Sequence, residues 1–129
     1  MEEVMQFLTD AGGYYIASVD SEGKPHVRPF GSRYLVDGKF YISMSFPKNV
    51  YDQVMANPYV EIATMGKDRS WLRIAAKAVP VLDLEARKKI LEASPGGGGP
   101  RNPETQMLFE LTEVTATINQ GQNQKVINW

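Results

Sequence analysis

Turn signals cut the chain into short pieces, and their spacing limits its fold more than any other feature. Gly12-Gly13, Asp20-Ser21-Glu22-Gly23, Asp37-Gly38, Gly66-Lys67-Asp68 and Gly121-Gln122-Asn123 each interrupt runs rich in β-branched and aromatic residues. Runs of this length joined by hairpin-type turns pair antiparallel. Tyr14–Val19 reads as a first strand. A second is expected over residues 26–36, with Pro29 making part of it an edge or a bulge. Asp37-Gly38 turns it into a third over 39–43. Tyr59–Met65 and 71–82 form the next pair, and 107–118 follows with Thr112, Thr115 and Thr117 at β-branched positions. A last short strand after Gly121 ends at Trp129.

Three helical patterns lie between these strands. Val4, Phe7 and Leu8 share one face before Gly12. Residues 48–57 read as a short helix with Val50, Val54 and Met55 inward, closed by Asn57-Pro58. Asp83 suits the N-cap of a helix over 85–93, in which Leu84, Ile90 and Leu91 pack. Residues 94–103 hold four glycines in a row and three prolines, so they read as one flexible loop, either a lid over a substrate opening or a tolerated surface loop. The pattern is that of a mainly β protein with peripheral helices, an antiparallel barrel of six to seven strands. At 129 residues there is room for one domain, 1–129.

Composition removes several functions. The chain has no cysteine and one histidine, which excludes disulfide frameworks, Cys-based zinc sites, thiol nucleophiles and histidine-rich metal centres; no metal is expected. Fourteen basic against fifteen acidic side chains leave a net charge of −1, too little for an extended phosphate-backbone surface. Nucleic-acid stacking on Tyr14, Tyr15, Phe40 and Tyr41 is disfavoured on that ground, and these rings read as partly core. The N-terminus lacks the basic and apolar regions of a signal peptide, and no stretch approaches the ~18 apolar residues of a membrane span. A cytoplasmic location without membrane contact is the expectation.

Three stretches can carry chemistry. In residues 28–33, Arg28, Pro29, Phe30, Gly31 and Arg33 lie beside a predicted edge. The two arginines are five apart and face opposite sides of a regular strand; a bulge at Pro29 or Gly31 would join them, and otherwise they are solvated. Ser43, Met44, Ser45, Lys48 and Asn49 join a strand to a helix start, where hydroxyls, a lysine and helix amides suit an anion or form a plain N-cap. Trp71 and Arg73 share a strand face, as an interface or cofactor edge would require, or as a tryptophan packed under a loop would.

In this order the stretches resemble the pyridoxamine 5′-phosphate oxidase-like family of FMN-binding split β-barrels. The likeness runs over residues 14–81, through YYIASVDSEGKPHVRPFG, GKFYISMS, KNVYDQVMANPYVEI and WLRIAAKAV. It implies that residues 28–33 run along an FMN whose phosphate Arg28 binds. Ser43, Met44, Ser45, Lys48 and Asn49 would complete the phosphate and ribityl site. Trp71 would reach the flavin from the other subunit of a homodimer, and Arg33 or Arg73 would stabilise charge on the reduced ring. The implied function is an FMN-binding flavoprotein, an oxidoreductase for an unidentified small molecule; the alternative is a non-catalytic flavin carrier or redox sensor. A deazaflavin or a haem is a further option for the same cleft. Oxidation of pyridoxamine phosphate itself is not expected. Arg33 stands where the true oxidases have a substrate lysine, and the helix over 85–93 has no tyrosine and no arginine at its C-terminal end. No catalytic residue is assigned, and His26 is read as a surface residue.

Overall fold

The computed structural model describes residues 1–46, 49–93 and 101–129. Lys48 and the glycine loop at 96–99 therefore lie outside the described residues. The elements run α1 (Glu2–Ala11), β1 (Tyr14–Val19), β2 (Pro25–Phe30), β3 (Tyr34–Val36), β4 (Lys39–Ser45) and α2 (Asn49–Ala56). They continue with β5 (Tyr59–Met65), β6 (Trp71–Pro80), α3 (Leu84–Glu92), β7 (Gln106–Gln120) and β8 (Asn123–Asn128). All pairings are antiparallel, in the order β2-β1-β5-β6-β7-β4-β3, with β8 also on β7. The fold is mainly β, as the turn spacing predicts.

The expected second strand over 26–36 divides, which raises the strand count to eight among the described residues. β2 pairs with β1 at one end of the sheet order, and β3 pairs with β4 at the other. Only residues 31–33 separate them in the chain. Four peptide steps span at most about 14 Å, so the two ends of the sheet must lie close together. The sheet therefore curls into a barrel whose seam is split at 31–33. Ser32 fixes that seam: its Oγ donates to the Ser43 carbonyl at 2.9 Å and accepts from the Ser43 N–H at 2.9 Å. The buried Tyr14 hydroxyl donates to the Ser32 carbonyl at 2.7 Å, and burial pushes that phenol well above its ordinary pKa.

Local chemistry explains the other elements. Asp37 (φ 51°) and Gly38 (φ 73°) are both left-handed, as the tight turn between β3 and β4 requires. Asp83 caps α3 by accepting from the Ala86 N–H. β7 carries one extra residue: Ala75 opposes Thr115 while Lys77 opposes Thr112. The surplus falls at Glu113, which has φ 50°, and it resets the alternation so that both Leu111 and Val114 point inward. The bent β7 then pairs with β4 through its first half and β8 through its second.

Val4, Leu8, Ile16, Ile42, Ile62, Leu72, Ile74 and Phe109 form the fully buried centre of the barrel, with Val50 and Val54 of α2 against them. Two packing expectations fail. Met55 is 45% exposed, because Val50 and Val54 already define the inward stripe of α2. Leu84 is 41% exposed in the first turn of α3, where Arg87 and Ile90 hold the buried positions.

Candidate functional site

An open groove follows the seam. Its larger part, about 580 Å³, is lined by His26, Arg28, Pro29, Phe30, Asn49, Val50 and Gln53. Its smaller part, about 200 Å³, adjoins Ser43, Met44, Ser45, Arg101 and Gln106. Pro29, Phe30 and Val50 line both parts, so one wall runs from end to end.

Arg28 is built into the larger part. Its Nη1 donates to Ser18 Oγ at 2.7 Å and its Nη2 to Gln53 Oε1 at 3.0 Å, while Ser18 Oγ donates to the same Gln53 oxygen at 2.6 Å. The triangle ties β1, β2 and α2 together and fixes the direction of the guanidinium. These bonds use two of its five N–H donors, so the group can still bind an anion. Burial lowers its pKa, yet a guanidinium remains cationic at neutral pH. Asn49, the first residue of α2, lines the same cavity as Arg28. His26, half exposed, hydrogen-bonds through Nε2 to Asp20 Oδ2 at 2.8 Å, a surface contact as its place beside a turn suggests.

At the smaller part, Arg101 Nη1 donates to Ser43 Oγ and to Gln106 Oε1, each at 3.4 Å, and Gln106 Nε2 donates to Ser45 Oγ at 2.8 Å. Gly31 borders this part, and a Cβ there would meet no atom within 4 Å, so the space above it is open.

The structure thus gathers Arg28, Pro29, Phe30, Gly31, Ser43, Met44, Ser45 and Asn49 along one groove. Arg33 lines neither part; it turns toward α1, donating to Thr9 Oγ1 at 3.0 Å and to the Gly31 carbonyl at 2.9 Å. The break in the strand therefore separates the two arginines rather than joining them. Trp71 and Arg73 lie on the outer face of the sheet, with the Arg73 guanidinium 5.3 Å from the centre of the Trp71 ring and its Nε 3.6 Å from Glu61.

Ser18, Gln53, Arg101 and Gln106 escape a reading of the sequence. Ser18 left one trace: it shares the inward phase of Tyr14 and Ile16, and a hydroxyl at such a position needs a partner. A separate cavity of about 420 Å³ lies between α1 and the β5–β6 turn. Asp10, Lys67 and Asp68 line it, so two carboxylates stand against one ammonium there. Among the described residues, no cluster of His, Asp or Glu could hold a metal ion, and no helix is long and apolar enough to cross a membrane.

The groove can be set against known proteins. The family model for pyridoxamine 5′-phosphate oxidase matches residues 1–122. No curated protein sequence matches the chain. Among solved structures, a NimC/NimA family protein from Clostridium acetobutylicum is 26% identical, with a TM-score of 0.89 over 100% of this chain and 92% of that one. A heme binding protein from Mycobacterium smegmatis shares the fold at 14% identity and a TM-score of 0.69, over 98% of this chain and 57% of that one. An F420 reductase shares it at 18% identity and a TM-score of 0.61, over 82% of this chain and 89% of that one. With a family model that spans nearly its whole length, the chain belongs to the pyridoxamine 5′-phosphate oxidase family.

Proposed function

We propose that the chain binds FMN along the seam groove and serves as an oxidoreductase for a small molecule, acting as a homodimer. The observation that carries this reading is Arg28, aimed by Ser18 and Gln53 into a cavity that also receives the start of α2. A fixed planar donor beside a helix start suits a phosphate monoester. Arg28 and Asn49 would hold that phosphate. The wall of Pro29 and Phe30 would flank the rest of the molecule, and the end of β4 from Ser43 to Ser45 would border its far part. Bound FMN would supply electron transfer to and from a substrate; the protein supplies position, charge and exclusion of water.

A second copy of the chain is the proposed cover for the outer sheet face. Tyr15 (58% exposed), Val27 (64%) and Met65 (66%) present apolar surface there, beside the half-buried Trp71. Strand register makes them neighbours: Ala17 lies between Val27 and Glu61, Tyr15 opposes Ala63, and Met65 opposes Trp71. A face of this kind suits an isologous contact.

The fold neighbours that bear the names heme binding protein and F420 reductase make haem and deazaflavin the competing ligands. Haem is disfavoured because the one histidine is held by Asp20. The test is equilibrium binding of FMN, a deazaflavin and haem to the purified chain, followed by steady-state reduction with NADH or NADPH. Preferential FMN binding with turnover supports the reading. Binding without turnover favours the carrier or sensor, and preference for deazaflavin or haem contradicts it.

A further inference from the structure

His26 lines the same part of the groove as Arg28. The two stand on one face of β2, because side chains two apart in a strand point the same way. Their Cα atoms lie about 7 Å apart, a span that one phosphate accepting from both side chains can bridge. We propose that His26 is a second donor to the phosphate held by Arg28 and makes that hold depend on pH: the protonated ring donates through Nδ1, and the neutral ring does not. The inference rests on the FMN reading above.

Three observations carry it. First, the ring is held in place before any ligand arrives. Its Nε2 meets Asp20 Oδ2 at 2.8 Å, and Oδ1 of the same carboxylate accepts from the Glu22 and Lys24 N–H groups, each at 2.9 Å. Second, that contact decides what the other nitrogen can do. The His26 bond, then the Lys24 amide, holds the Asp20 carboxyl below its ordinary value, so at neutral pH it is an ionised acceptor. A neutral ring must then carry its proton on Nε2, which leaves Nδ1 with a lone pair that repels a phosphate oxygen. A second proton turns Nδ1 into a donor and adds a positive charge. Nδ1 makes no hydrogen bond among the described residues, and the side chain is 44% exposed, so a ligand can reach it. Third, few charges face the ring among the described residues. Arg28 adds a positive one from β2 and Asp20 a negative one from the β1–β2 turn, while Lys24 and Glu22 of that turn pair with each other at 3.1 Å. β1 sets the uncharged Ser18 opposite His26, and α2 lines the cavity with Asn49, Val50 and Gln53 but not with its Asp52. Histidine is the side chain that changes charge around neutral pH. A phosphate bound here therefore meets two positive groups in mild acid and one in mild base.

The phosphate of FMN gains its own second negative charge near about pH 6, which by itself strengthens binding to Arg28 as pH rises. The test therefore compares wild type with variants at each pH, by fluorescence titration of FMN and riboflavin at about pH 5.5 and about pH 8. His26→Gln should weaken FMN binding by about fivefold or more at the lower pH and by less than about twofold at the higher. His26→Lys keeps its charge at both, and at about pH 8 it should bind FMN at least as tightly as wild type does. Riboflavin affinity should stay within about twofold throughout, with unchanged circular dichroism. A His26→Gln deficit that is equal at the two pH values, or that riboflavin shares, overturns the proposal. The chain has one histidine, so NMR reads its ring protons in wild type without any variant. Inorganic phosphate added to the flavin-free chain should shift them saturably at about pH 5.5 and bind more weakly at about pH 8. Absent shifts, or phosphate affinity that does not fall with pH, overturn the proposal. That titration needs no flavin: if wild type binds neither FMN nor riboflavin, the FMN reading fails alone, and the phosphate shifts still decide the part of His26.

Discussion

Arg28 of β2 and Gln53 of α2 meet at 3.0 Å, and Ser18 of β1 closes the contact into a triangle. The strand that edges the barrel is thereby locked to the helix beside the groove. Gln53 touches the arginine and also lines the cavity, so its part is to position Arg28 for a phosphate. Gln53→Leu is expected to lower FMN affinity by about tenfold while leaving riboflavin affinity within about twofold, the cost of misdirecting one charge-assisted contact. A double-mutant cycle with Arg28→Ala should show coupling between the two positions, and strict additivity would place Gln53 outside the phosphate site.

The outer sheet face gives a second expectation. Met65→Lys puts a charge among Tyr15, Val27 and Trp71 and should weaken self-association by about tenfold or more, with unchanged circular dichroism. Sedimentation equilibrium checks this. A wild-type chain that is monomeric at all concentrations would remove the homodimer from the account.

Arg87 is buried, and its guanidinium is shared among three backbone carbonyls. Arg87→Met keeps much of the side-chain volume but leaves those acceptors without a donor. A loss of about 2–3 kcal/mol of unfolding free energy is expected from denaturant titration. A loss below about 0.5 kcal/mol would mean that the carbonyls find other partners.

Asp20 anchors the β1–β2 turn, accepting at Oδ1 from the Glu22 and Lys24 N–H groups and at Oδ2 from His26. The His26 contact, then the Lys24 amide, holds its carboxyl below the ordinary value. A carboxyl whose pKa is lower in the folded chain stabilises the fold above its unfolded value, about 3.9, and loses that effect as pH falls through the folded value. Stability should therefore drop as pH falls below about 4, and Asp20→Asn should flatten that part of the profile. An unchanged slope in the variant would assign the acid sensitivity to other groups.

Elements whose instructions are local could be read from the sequence. Asp37-Gly38 dictates its own turn, Asp83 its own cap, and Tyr59–Met65 is bounded by Asn57-Pro58 and Gly66. The break at 31–33 could not be read that way, because it exists only to bring the two ends of the sheet together. The extra residue at Glu113 is likewise imposed by the curl of the barrel on a run that looks regular. The site divides along the same line. Arg28, Phe30 and Ser43 stand in patterned strands, whereas Gln53 and Arg101 reach the groove from a helix and a loop whose placement depends on the closed barrel. Arg33 shows the converse: the chain places it next to the site in sequence, and the seam turns it toward Thr9.

In the proposed site Arg28 recognises the phosphate of a flavin. The most direct test is a fluorescence titration of FMN and riboflavin against the wild-type chain and Arg28→Ala. Wild type is expected to prefer FMN over riboflavin by about tenfold or more, and Arg28→Ala to reduce the preference to within about threefold. Equal affinity of wild type for the two flavins, or a preference that persists in Arg28→Ala, would contradict it.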